Sequence, residues 1–130
     1  MEFMKHKKRW LTHLISYPFI LAPLLPVLML DLLGEMYHRL CFPLYGLTYI
    51  KRSDYIVLDR HKLKYLNWFQ KISCAYCGYI NGFLLYAAAI AQATEGYWCS
   101  IINGRGDKQP HQKKFLPYDD EPAYQNFINK

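Results

Sequence analysis

The chain has 130 residues and a formal net charge of +6, which leaves room for one domain at most. Its mean hydropathy of −0.12 argues against a membrane protein with several spans. The charge and the twelve tyrosines suit an anionic lipid surface better than nucleic acid, because the sequence contains no recognition helix or base-stacking sheet.

Residues 1–40 are expected to form a basic collar and a membrane anchor. The collar runs from Met4 to Trp10, and the positive-inside rule predicts that it stays cytoplasmic. The apolar run from Leu14 to Leu33 contains one charged residue, Asp31. A helix of that length covers about 30 Å of hydrocarbon. No small-x-small cleavage site follows it, so we expect the segment to be retained.

Three prolines, Pro18, Pro23 and Pro26, interrupt this apolar run, so a straight helix is not expected. Basic residues follow on the far side as well as the near side. The segment is therefore either a re-entrant or interfacial segment in one leaflet or a kinked single span, with a buried soluble helix as a third alternative. We expect Asp31 to lie at headgroup depth beside His38 or Arg39.

Residues 41–104 are expected to form a small helical domain that contains the cysteines. The sequence predicts a turn at 40–46, a short strand at 55–58 and an amphipathic helix at 60–72. A loop at 78–82, marked by Asn81-Gly82, would separate the first helix from a second one at 83–95. The two helices would pack as an amphipathic pair on the cytoplasmic face, which makes the fold class mainly α.

Residues 105–130 read as an extended polar tail. Pro110, Pro117 and Pro122 favour extended backbone there. The charge changes along the tail from basic at Lys113-Lys114 to acidic at Asp119–Glu121, so it can fold back on a basic surface.

The candidate site is the sequence Cys74-Ala-Tyr-Cys77-Gly78. Two thiolates at this spacing resemble half of a zinc knuckle, with the glycine allowing a tight turn. In a cytosolic setting such a pair is more often metal-binding or redox-active than a structural disulfide. Free buried thiols and a redox dithiol are the alternatives. Four sulfur ligands would suit iron as well as zinc.

A tetrahedral site needs two further ligands. The candidates are Cys99, Cys41, His111 and His61. A straight helix over 83–95 would place Cys99 too far from Cys77, so Cys41 or His111 on longer connections would have to complete the site.

No catalytic triad order, phosphate loop or His-Glu-x-x-His motif is present, and we do not expect an enzyme or a small-molecule substrate. The sequence instead indicates a membrane-associated accessory or assembly protein with a juxtamembrane zinc site, bound to the lipid bilayer and to a larger membrane complex. The alternative is a membrane-tethered electron-transfer or thiol-redox protein that uses iron or the Cys74/Cys77 dithiol.

Several motifs together resemble a family of small bacterial proteins without an assigned activity. They are Cys41-Phe-Pro-Leu-Tyr-Gly46, Arg52-Ser-Asp-Tyr-Ile-Val-Leu-Asp-Arg-His61, Tyr65-Leu-Asn67, Cys74-Ala-Tyr-Cys77-Gly-Tyr with Asn81-Gly82, and Tyr97-Trp98-Cys99. The resemblance covers roughly residues 20 to 120 and implies a location at the bacterial cytoplasmic membrane. Similar sequences continue after the third cysteine with Pro-Ile-Lys-His-Ala, where this chain has Ser100-Ile-Ile-Asn-Gly104. A metal site that used that histidine does not carry over.

Overall fold

The computed structural model describes residues 5–130, so residues 1–4, where the predicted collar begins, lie outside the described part. Within residues 5–130 the chain is mainly helical and has no strand, which confirms the predicted class. The α-helices are α1 (Trp10–Leu21), α2 (Leu24–Tyr45), α3 (Trp68–Trp98) and α4 (Glu121–Ile128). Short 3-10 helices occur at Lys7–Arg9, Arg52–Asp54, Arg60–Lys62 and Pro110–Lys114.

The apolar N-terminal segment is helical along almost its whole length. α1 ends at Leu21 and α2 begins at Leu24. Between them, Ala22 and Pro23 keep backbone angles in the right-handed helical region. Pro23 and Pro26 lie at the start of α2, where backbone N–H groups have no intrahelical acceptor, so they cost fewer hydrogen bonds than in a helix interior. Pro18 lies inside α1.

α2 continues through the segment that was predicted to be a turn at 40–46. It ends only at Gly46, which adopts a left-handed conformation with φ of 70° and donates its N–H to the carbonyls of Phe42 and Pro43. A glycine takes this conformation without steric cost. The turn prediction was therefore correct only at its last residue.

Residues 46–67 form a crossover between α2 and α3, and they correct two predictions. The strand predicted at 55–58 is a turn followed by irregular backbone. The helix predicted at 60–72 begins instead at Trp68, after the 3-10 turn Arg60–Lys62. Its start is set by a capping box in which Asn67 accepts from the N–H of the third helical residue and Gln70 accepts from the N–H of Asn67.

α3 is one helix of 31 residues, so the predicted loop at 78–82 and the pair of helices 60–72 and 83–95 are wrong. The glycines provide close packing rather than a turn. A Cβ at Gly82 would lie 2.5 Å from the Tyr55 carbonyl oxygen, and one at Gly78 would lie 3.4 Å from Leu58 Cδ2. Gly82 therefore allows the crossover backbone to approach α3 more closely than a side chain would permit, whereas a Cβ at Gly78 would make an ordinary van der Waals contact.

A small core lies between α2 and α3. Its buried apolar side chains are Phe42, Phe83, Tyr86 and Ile90. His38 is buried among them. In contrast, none of the described side chains of α1 is buried.

The segment after α3 is less extended than predicted. The 3-10 helix Pro110–Lys114 contacts the end of α3, since His111 and Gln112 both bind the carboxylate of Glu95. The final helix α4 is capped by Asp120, whose side chain accepts from the N–H of Ala123.

Candidate functional site

The four cysteines are free thiols. Cys41 lies in α2, and the other three lie at two places along α3. Cys74 is half-buried and Cys77 is exposed, and they lie one turn apart in the first half of the helix. Cys99 is exposed and directly follows the last residue of α3. With 22 positions between Cys77 and Cys99, a rise of 1.5 Å per residue separates them by about 33 Å.

Two of the other predicted ligands, Cys41 and His111, lie at the Cys99 end of α3. Cys41 precedes Tyr45 by one helical turn, and the Tyr45 ring stacks on Tyr97 with ring centroids 4.7 Å apart. His111 Nε2 lies 2.8 Å from Glu95 Oε2 and is therefore held by a carboxylate. His61 is exposed in its 3-10 turn within the crossover.

The predicted ligands are thus not brought together around Cys74 and Cys77. Among residues 5–130, no three or more His, Cys, Asp or Glu side chains are grouped closely enough to hold a metal ion. The glycine that was predicted to give the knuckle its turn is inside a helix. One chain therefore offers two thiolates at this position, whereas structural zinc takes four ligands.

The structure brings together a different set of residues, which we call the interhelical polar cluster. It joins α2, α3 and the crossover, and its members are Asp31, Glu35, His38, Tyr49, Arg52, Tyr79 and Tyr86.

Arg52 of the crossover forms one side of this cluster. Its guanidinium binds both carboxylate oxygens of Asp31, with Nη2 2.6 Å from Oδ2. The Tyr79 hydroxyl donates to the same carboxylate. This bidentate pairing raises the pKa of Arg52 above its usual range, so the guanidinium is charged at every accessible pH. The sequence predicts Asp31 beside His38 or Arg39. Its hydrogen-bond partners are instead Arg52 and Tyr79.

His38 forms the other side, and its hydrogen bonds define its tautomer. The backbone N–H of Ile50 donates to Nε2 at 3.1 Å, so Nε2 carries no proton. In the neutral ring, Nδ1 then carries the proton and donates to the Tyr86 hydroxyl, 2.9 Å away. Tyr86 in turn donates to Glu35 Oε2 at 2.9 Å. The bonds therefore run in one direction, from Ile50 through His38 and Tyr86 to the carboxylate.

The Glu35 carboxylate, where this chain of bonds ends, has further donors. Arg39 Nε lies 2.8 Å and the Tyr49 hydroxyl 3.1 Å from Oε1. The Tyr49 ring also stacks on His38, with centroids 4.2 Å apart. The negative charge is thus shared among several donors, as is required where a carboxylate lies beside an apolar core.

The central residues of this arrangement are buried. His38 has no exposed surface and Tyr86 is 1% exposed. Within the described residues, every buried side-chain nitrogen and oxygen has a hydrogen-bond partner. A satisfied network of this kind determines how the two helices and the crossover are positioned relative to each other.

An apolar groove of about 460 Å³ adjoins the cluster between α2 and α3. Leu30, Phe83 and Ile90 line it together with Glu35 and Tyr86 of the cluster. The groove extends the apolar surface of the helix pair and contains no further polar group of the cluster.

The sequence does contain a signal for the α2 part of the cluster. Asp31, Glu35 and His38 are spaced by four and three residues in an otherwise apolar segment, which places them on one face of a helix. No comparable signal identifies Arg52, because it lies in a short 3-10 turn 21 positions after Asp31. Comparisons with protein-family models, with curated proteins and with solved structures give no match, so the resemblance of the motifs to a bacterial family stays a prediction.

Proposed function

We propose that this protein is a membrane-associated accessory or assembly protein of the bacterial cytoplasmic membrane, without catalytic activity of its own. The observation that carries the proposal is the unburied apolar surface of α1 and α2. The most apolar window of Trp10–Tyr45 has a mean hydropathy of 1.8, and none of it is buried within the protein. An exposed apolar surface of this length marks a membrane or protein interaction site.

The exposed apolar residues of this segment are large as well as numerous. Phe19 is 77% exposed, Leu25 71% and Leu44 81%. Burial of each such side chain in lipid contributes about 1.5–3 kcal/mol. Trp10, at the start of α1, is 65% exposed and suits the membrane interface, where its polar ring edge can reach headgroups.

In this proposal the remainder of the chain lies in water outside the membrane. The crossover and the C-terminal segment carry most of the charged side chains, and the interhelical polar cluster fixes the crossover on the helices. A rigid polar surface held at the membrane is what an assembly protein requires to bind a larger complex.

Flotation tests the proposal. Full-length protein is mixed with vesicles of zwitterionic and anionic phospholipid and centrifuged through a density gradient. Wild-type protein should float with the vesicles, whereas the double variant Leu25→Glu/Leu32→Glu should float at least tenfold less. The matched control Ser53→Glu adds a charge to the exposed crossover and should float like wild type. Wild-type protein that remains in the dense fraction as a monodisperse soluble species would contradict the proposal.

The proposal includes the zinc site expected at Cys74 and Cys77, and that site requires ligands from a second chain. Cys74 and Cys77 offer two thiolates on one helix face, so zinc or iron would need its remaining ligands from a partner in the assembled complex. A thiol-redox role is the second candidate function, and it is favoured by the exposure of Cys77 one turn from Cys74. Elemental analysis of the complex separates the metal site from the redox role. A shared metal site predicts bound zinc or iron that is lost in Cys74→Ser and kept in the control Cys99→Ser, whereas a redox dithiol predicts no bound metal.

A further inference from the structure

α1 and α2 run parallel to α3. Near the beginning of α3, the hydroxyl oxygens of Tyr17 and Ser73 lie 3.2 Å apart. At the other end, the rings of Tyr45 and Tyr97 stack. Residue numbers therefore rise in the same direction on both sides of the interface. The end of α2 and the beginning of α3 therefore lie at opposite ends of the interface, and the crossover that connects them has to run back along the whole length of the helices.

The return path lies against the helices. Arg52 of the crossover binds Asp31, and the residues after it pass first Gly82 and then Gly78 of α3. The crossover thus runs beside the middle of α3 in irregular backbone. It carries six exposed charged side chains, which are Lys51, Asp54, Asp59, Arg60, Lys62 and Lys64.

α2 has an apolar stripe on its outer face. The exposed side chains of this stripe are Leu25, Met29, Leu32, Met36, Leu40 and Leu44. They recur every three or four residues, so they lie on one side of the helix. Asp31 and His38, which contact the crossover, lie about 150° and about 170° from the centre of this stripe, at 100° per residue. Polarity therefore changes across the layer of helices and not along their axes.

This direction of polarity decides how the protein can meet a bilayer. If both apolar helices crossed the membrane, the crossover would return through hydrocarbon with irregular backbone and exposed charges. Lipid-exposed irregular backbone does not occur at that depth, and charges there are strongly unfavourable. With the helices lying flat, the apolar stripe contacts lipid while the crossover stays in water.

We propose that the protein occupies one leaflet of an anionic bilayer, with α2 parallel to the membrane plane and neither long helix crossing. This inference rests on the membrane attachment proposed above and adds its orientation. α1 takes the deepest position, because none of its described side chains is buried within the protein. The net charge of +6, with exposed Arg9 and Arg39 beside the apolar surface, matches anionic headgroups.

Depth measurements along the stripe test the orientation. Met29→Cys, Met36→Cys and Leu44→Cys each carry an environment-sensitive fluorophore, in full-length protein whose native cysteines are replaced by serine. Nitroxide lipids labelled at shallow or deep positions quench the fluorophore. We expect the same shallow depth at all three positions. A spanning helix would instead give depths that change by about 22 Å between the first and last position. Asp54→Cys is the control and should report water.

Limited proteolysis of wild-type protein gives a second measurement without substitutions. Trypsin added outside vesicles to which the protein has bound should cleave the crossover between Arg60 and Lys64. Protection of this segment, or a depth gradient along the stripe, would overturn the orientation while leaving membrane attachment intact. Failure to bind vesicles would overturn both proposals. Stripe-to-stripe dimers that stay in solution would identify a second copy as the occupant and would also overturn both.

Discussion

Replacement of Tyr86 by Phe tests whether the interhelical polar cluster holds the helices together. The variant keeps the ring in the core and removes one hydroxyl. That hydroxyl donates to Glu35 and accepts from His38, at 2.9 Å in both cases. A hydrogen bond to a charged group contributes about 1.5–3 kcal/mol, and a buried donor without a partner costs about 1–3 kcal/mol. Because Glu35 keeps other donors, we expect a loss of about 2–4 kcal/mol in the free energy of unfolding.

Tyr49→Phe is the matched control for this prediction. Tyr49 also donates to the Glu35 carboxylate, but it is 47% exposed and water can replace its bond. The control should lose less than about 1 kcal/mol. Urea unfolding of purified protein in mild detergent, followed by circular dichroism, measures both variants. Equal losses in the two, or a loss below about 0.5 kcal/mol for Tyr86→Phe, would refute the directional chain of hydrogen bonds through His38.

Three further predictions use other contacts. Gly82→Ala should lower the free energy of unfolding by about 1–2 kcal/mol, because overpacking against the Tyr55 carbonyl exceeds the gain in helix propensity. Gly34→Ala has open space around its new Cβ and should raise the free energy of unfolding by about 0.5–1 kcal/mol. If urea titration showed that both variants stabilise the protein or that both destabilise it, the close contact of Gly82 with the Tyr55 carbonyl would be contradicted. Arg52→Gln should lower the free energy of unfolding by about 1–3 kcal/mol and make the crossover more sensitive to trypsin, since it removes the cationic partner of Asp31 and leaves only the bond from Tyr79; unchanged cleavage would contradict this prediction. Protein purified alone should contain no stoichiometric zinc by elemental analysis, with or without Cys74→Ser; one zinc per chain would contradict the two-ligand geometry.

The sequence alone determined the helical class and the apolar N-terminal segment. Both depend on neighbours within a few positions along the chain, namely the apolar run from Leu14 to Leu33 and the strong helix formers after Phe83. The spacing of Asp31, Glu35 and His38 contains a signal for a polar stripe on one helix face, which the predicted elements did not include. Local rules are sufficient where the evidence for an element lies inside that element.

Only the tertiary structure decided where the helices are interrupted and which side chains become partners. Gly78 and Gly82 have the composition of a loop, but both lie inside α3, and at Gly82 the crossover backbone packs where a side chain would be. Arg52 becomes the partner of Asp31 through a crossover whose path has no local signature. Cys77 and Cys99 separate because one uninterrupted helix runs from before the first to the residue preceding the second. Contacts between residues distant in sequence set each of these outcomes, and no pattern within a short window contains them.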